Sequence, residues 1–136
     1  MADDTLTQMV NHLEFLGYTA ETQDDGWTFL SHPTRADFYV KAFPFGVRGV
    51  AIFPIPDLVG DAEWLAFVNR CNDASIVASF AITSKPGRPD ALRTVVLFPL
   101  AYDKVSFGAL VEAWQQDLEL LRDAPEREER APVVMH

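Results

Sequence analysis

A single cysteine, Cys71, in 136 residues rules out an intramolecular disulfide and denies any thiolate metal site its second sulfur. No apolar run approaches the ~18 residues of a membrane-spanning helix. The opening Met1-Ala2-Asp3-Asp4 lacks the basic and apolar regions of a signal peptide. These absences point to a reducing cytoplasm. Basic residues are also scarce: 11 Lys and Arg stand against 20 acids, giving a net charge of −9. No Lys/Arg cluster is visible along the chain, so nucleic acids and anionic membranes are not the expected partners. The charge is uneven, with ten acids and three bases in residues 1–68 but ten and eight in residues 69–136.

Chemistry-bearing motifs are missing as well. The three histidines, His12, His32 and His136, build neither an H-E-x-x-H helix nor a Cys/His zinc spacing. His12 falls on the polar side of a helical pattern and His32 precedes Pro33 in a turn, so solvated surface is expected for both. There is no G-x-S-x-G elbow, and Cys71 lies on an apolar helical arc, as a core thiol does. Asp24-Asp25 precede Gly26 in a turn pattern, where Asp serves local hydrogen bonding. Gly46-Val47-Arg48-Gly49 lacks the Lys-Ser/Thr ending of a phosphate loop and leads into a strand. No catalytic residue, metal site or cofactor is expected.

What the chain does have is apolar residues at 49% and aromatics at 12%, enough for one real core at this length. Thr5 and Gln8 have capping-box spacing, and Leu6, Met9, Val10, Leu13 and Leu16 recur at helical period up to Gly17. The period then becomes two around Asp24-Asp25-Gly26, predicting a hairpin from Tyr18 to Leu30. His32-Pro33 ends it, Asp37–Phe43 and Val47–Phe53 read as further strands, and Pro54 and Pro56 close the sheet segment.

A second helix is expected to start at Asp57 or Asp61 and to end at Asn72-Asp73. Its Trp64, Leu65, Phe67, Val68 and Cys71 spread over roughly 160°, more than the ~100° one packing surface needs. Strands follow at Ile76–Thr83 and Arg93–Leu100 around the Lys85–Asp90 loop. Asp103 or Ser106 caps a last helix whose Phe107, Leu110, Val111, Trp114, Leu118 and Leu121 form one stripe. Burying those six side chains is worth roughly 10 kcal/mol gross. Residues 1–124 therefore read as one α+β domain, and the charged, aperiodic 125–136 as a mobile tail.

The resulting order, α-β-β-β(β)-α-β-β-α with an antiparallel sheet of five or six strands, resembles the type III secretion chaperone-like fold and, within it, the bacterial YbjN-like family of regulators. The stretch Phe67-Val68-Asn69-Arg70-Cys71-Asn72 is similar to that family's pattern of two asparagines three apart closing the middle helix. Asn69 and Asn72 would lie one turn apart at a helix end, where one amide can satisfy free carbonyls and the other can take a left-handed cap. The resemblance implies architecture for this pair, and a regulator or adaptor role without a reaction. Secretion chaperones of this fold are acidic homodimers that hold a client segment, so client binding is the alternative.

The expected function is thus a non-enzymatic protein-binding module in the cytoplasm, without a cofactor. Trp27 beside one turn and Phe45 at the tip of another are the candidate partner contacts, because exposed aromatics at turn tips suit recognition. The wide arc of the second helix nominates Trp64 and Phe67 as a homodimer interface. A small-ligand sensor with a pocket between sheet and helices is a further alternative. An enzyme using Arg48 or Arg93 with sheet-borne carboxylates is the weakest, since no spacing selects such a set.

Overall fold

The computed structural model describes residues 2–55 and 61–125. The chain runs α1 (Ala2–Phe15), β1 (Thr19–Thr22), β2 (Thr28–Ser31), β3 (Phe38–Phe43), β4 (Gly46–Pro54), α2 (Ala62–Ala74), β5 (Ser79–Thr83), β6 (Ala91–Pro99) and α3 (Lys104–Glu119), with a closing 3-10 turn at Leu120–Asp123. The six strands form one antiparallel sheet in the order β1-β2-β3-β4-β6-β5. The fold is α+β as expected, with six strands. Pro56, Asp57 and the tail beyond Pro125 lie outside the described residues.

Period-two alternation explains which side of the sheet is covered. Leu30, Phe38, Val40, Val47, Ala51, Leu92, Val96 and Phe98 all point to one face, where they meet Met9 and Leu13 of α1, Trp64, Phe67, Val68 and Cys71 of α2, and Phe107, Val111, Trp114 and Leu118 of α3. All three helices therefore pack on the same side. Trp114 is fully buried, donates from Nε1 to the buried Thr94 hydroxyl at 3.1 Å, and rests against β4. Gly49 makes this possible: a Cβ there would lie 2.9 Å from the Trp114 ring.

Several local expectations are corrected. Thr5 does not cap α1, which begins three residues earlier; its hydroxyl donates instead to the Leu100 carbonyl at 2.6 Å and ties α1 to the end of β6. Gly17, at φ +103°, ends α1 in the left-handed region glycine favours. Asp61 caps α2, accepting from Glu63 N and Trp64 N, and Asp103 caps α3, accepting from Ser106 N at 2.8 Å. These hydrogen bonds hold the Asp103 carboxyl below its usual range.

The segment 76–78 is not strand. Its backbone N–H groups are taken by one carboxylate: Asp117 of α3 accepts from Ile76 N at 2.7 Å, Val77 N at 2.9 Å and Ala78 N at 2.8 Å. Asp117 is 2% exposed. Three N–H donors on one buried carboxylate satisfy it by charge-assisted hydrogen bonds, and this is why β5 begins only at Ser79.

His12 and His32 are not simply solvated, and His136 lies outside the described residues. His12 is half-buried, its Nδ1 2.9 Å from the Tyr102 hydroxyl and its ring against Phe107. His32 packs on Tyr18 with centroids 4.7 Å apart and accepts at Nδ1 from Thr34 N. Both rings were misplaced because their partners are remote or lie across a turn. Cys71 is a buried free thiol, as its helical position implies, and burial pushes its pKa up.

Candidate functional site

The opposite face of the sheet carries no helix among the described residues. Register places its side chains in rows: Glu21, Phe29, Tyr39, Val50, Val95 and Ser79 across the full sheet, with Lys41, Arg48 and Leu97 in one flanking row and Ile52, Arg93 and Ala81 in the other. Ile52 and Leu97 remain about half exposed, at 49% and 51%. Polar, aromatic and aliphatic groups thus alternate on a surface that the core does not use.

Trp27 and Phe45, far apart in sequence, are joined on this face through Phe43. The Trp27 and Phe43 centroids lie 6.3 Å apart, and Phe43 stacks on Phe45 at 5.5 Å with planes 16° apart. Lys41 Nζ sits over both Trp27 and Phe43, at 5.7 and 5.9 Å from their centroids, and donates to the Asp25 carbonyl at 3.2 Å. Trp27 is half-buried, whereas Phe45 is 63% exposed. The β3–β4 turn displays Phe45 because its Pro44-Phe45 tip extends beyond the strands that could cover it.

Beside this cluster lies a groove of about 490 Å³, walled by the β1–β2 turn on one side and the β5–β6 loop on the other. Tyr39, Val50 and Ile52 belong to its lining, with Trp27 and Asp25 at one end and Thr83, Lys85, Arg88 and Pro89 at the other. Arg48 and Arg93 enter it from adjacent strands β4 and β6. Ile55 N donates to the Asp90 carbonyl at 2.9 Å, extending the β4–β6 ladder to the root of the loop wall. Four of the nine Lys and Arg among the described residues therefore converge here, which corrects the sequence expectation that the cations are unclustered. Arg48 and Arg93 do line one groove, from rows on either side of Val50; Asp25, a carboxylate in the same lining, accepts at Oδ1 from Trp27 N at 3.0 Å.

The other nominated residues have different places. Trp64 and Phe67 are 4% and 3% exposed within the single chain and stack edge-to-face at 5.5 Å. The wide arc of α2 is consumed by its own sheet and neighbours, and only Leu65 of that arc stays half exposed, at 47%. The reason for assigning Trp64 and Phe67 to a dimer interface is thereby removed: a helix lodged against an edge strand and a second helix buries more than one stripe without a twin.

Asn69 is exposed, and neither asparagine caps α2, whose C-cap is Ser75 in an extended conformation. Asn72 instead clamps β5, accepting from Phe80 N at 2.7 Å and donating to Phe80 O at 2.9 Å. It occupies backbone groups that β5, an edge strand, would otherwise leave open. Among the described residues, no three His, Cys, Asp or Glu side chains converge as a metal site would require. No helix among them is long and apolar enough to cross a membrane.

By sequence, no protein-family model and no curated protein matches the chain. By structure, the chain is similar to the crystal structure of "YbjN, a putative transcription regulator from E. coli", with a TM-score of 0.66 at 14% identity, over 86% of this chain and 89% of that one. The shared feature is the fold: the helix, four strands, helix, two strands and helix described above span nearly the whole of both chains.

Proposed function

We propose that this protein is a non-enzymatic, cytoplasmic binding module of the regulator or adaptor type, and that it engages a protein partner through the helix-free face of its sheet. One observation carries the reading: a linked aromatic surface, Trp27-Phe43-Phe45, projects from a face that the core leaves uncovered. Aromatic side chains with little rotamer freedom are the usual energetic anchors of protein interfaces, and a cation held over them by π interaction adds orientation. The fold shared with a protein described as a regulator supports the same direction.

The exposed position of Phe45 makes the reading testable without damage to the core. Trp27→Ala with Phe45→Ala, compared by quantitative affinity capture with wild type and with a Phe15→Ser, Val105→Ser variant altered at exposed positions on α1 and α3, separates the surfaces. The expected outcome is that proteins enriched by wild type disappear with the first pair and persist with the second. Equal capture by all three chains would reject the assignment.

A small-ligand reading has its own support in the groove, which lies on the helix-free face and not between sheet and helices as expected from sequence, and whose volume falls in the range of roughly 300–1,000 Å³ common for small-molecule sites.

A further inference from the structure

We propose that the groove beside the aromatic cluster is a binding site for a small organic anion, a phosphate or carboxylate carried on an apolar, ring-bearing body, seated between Arg93 and Arg48 under the β5–β6 loop. This site is distinct from partner binding through Phe45: it stands on the charge and the unmet donor of the groove, and Trp27 is the residue the two surfaces share.

The first is charge. Arg48, Lys85, Arg88 and Arg93 line one groove in a chain of net charge −9, and among the described residues Asp25 is its one lining carboxylate. The ion pairs among the described residues, Arg35–Glu112 and Arg122–Glu119, lie elsewhere and involve none of the four. Four cations facing one carboxylate among the described residues leave an excess of like charge that repels, and an anion between them relieves that repulsion.

The second is an unmet donor. Arg93 Nε is buried and finds no hydrogen-bond acceptor among the described residues. A buried donor without a partner is costly, and guanidinium groups present parallel N–H groups matched to the two oxygens of a carboxylate or phosphate. Arg93 sits on the interior strand β6 between Ile52 and Ala81, so its backbone position is held by the ladder on both sides. Its Nε thus lies below the surface of the sheet rather than at the end of a solvated arm.

The third is shape and lining. Tyr39, Val50, Ile52 and Trp27 give the same groove an apolar and aromatic surface, which selects against a bare ion and favours an anion with a ring or hydrocarbon body. Lys85 and Arg88 belong to the loop Ser84–Asp90 that follows β5, so they supply charge from the wall while Arg48 and Arg93 supply it from the sheet. Arginines on the strands fix the anionic head, and the Tyr39 end takes the body.

The test uses phenyl phosphate and inorganic phosphate as probes of the full-length chain, in wild type and in Arg93→Gln and Arg48→Gln. Arginine Nε–H signals and thermal melting provide the readouts. In wild type, phenyl phosphate is expected to shift the Arg93 and Arg48 Nε–H resonances saturably and to raise the melting temperature by mass action, with inorganic phosphate binding more weakly. Loss of one charge-assisted contact should weaken phenyl phosphate binding by about tenfold or more in either variant. Melting of the free variants, together with the intact Trp114 indole signal, establishes that they fold. Three results would overturn the proposal: no saturable shift in wild type, equal affinity in folded Arg93→Gln, or binding of a DNA duplex that phenyl phosphate does not displace. The Phe45→Ala variant, which leaves every groove-lining residue in place, can lose its partner while the Arg93 signal still responds to phenyl phosphate, so the two readings fail separately.

Discussion

The two faces of the same sheet use their residues in opposite ways. Strand positions 38, 40, 47, 51, 92, 96 and 98 carry apolar side chains that are all under 4% exposed, beneath three helices. The alternate positions on β3, β4 and β6 carry Tyr39, Lys41, Arg48, Ile52, Arg93 and Leu97, with no helix over them among the described residues. A chain that needed only stability would have no use for three cations and a half-exposed isoleucine on the second face. The covered side carries the packing, and the open side is the one our proposal gives to recognition.

Breaking the covered side should have the largest effect. Trp114→Ala removes a fully buried indole and its bond to Thr94, and a loss of about 3–5 kcal/mol is expected in urea denaturation. Asp117→Asn tests the same side through polarity. It replaces one acceptor of the three N–H groups at 76–78 by a donor, and about 2–4 kcal/mol should be lost, with amide exchange accelerated first at Ile76–Ala78. Should either variant be as stable as wild type, the packing account of that face would fail.

On the open side the expected stability effects are small. Trp27→Ala with Phe45→Ala should cost no more than about 1 kcal/mol, because Phe45 is mostly exposed and Trp27 half-buried, whereas capture of the partner should be lost. A double variant that unfolds would merge the two faces into one structural unit and remove the contrast.

The smallest effect is a pH dependence at the Asp103 cap. Hydrogen bonds from Ser106 lower the folded carboxyl pKa, so the stabilisation is present above the unfolded carboxyl range and is lost as pH falls through the folded value. The stability gap between wild type and Asp103→Ala should therefore be open at neutral pH and close in acid, as followed by thermal melts across that range.

Much of the covered face was legible in the chain because it is written in local periods. The stripe Phe107, Val111, Trp114 and Leu118 and the alternation through β3, β4 and β6 each lie within one element, and the two hairpins are marked by their turn residues. The bonds that join elements were not legible. Asp117 falls within a helix like any polar residue, and nothing local shows that its carboxylate reaches the N–H groups of 76–78, some 40 residues earlier. Thr5 looked like a cap because its long-range partner at Leu100 leaves no local trace.

The candidate site divides along the same line. Trp27 and Phe45 could be singled out because turn residues flank them, but their connection through Phe43 required the β2–β3–β4 register. Arg48 and Arg93 were noticed without a reason to group them; the ladder sets Arg48 opposite Leu97 and Arg93 opposite Ile52, and it is the groove on the helix-free face that both line. Trp64 and Phe67 were misassigned because an arc count measures how much of a helix is apolar, without saying whether a neighbour in the same chain or a second copy covers it. Asn72 was placed at the right end of α2, but its bonds run across to Phe80 rather than to its own helix.

Methyl-resolved NMR of the chain with the partner recovered by affinity capture measures directly which face is used. If the helix-free side is the working surface, the methyl groups of Val50, Ile52 and Leu97 shift on addition of the partner while those of Ile76 and Val105, exposed at the helical side, stay in place. Shifts confined to Ile76 and Val105, with Ile52 and Leu97 unmoved, would contradict it.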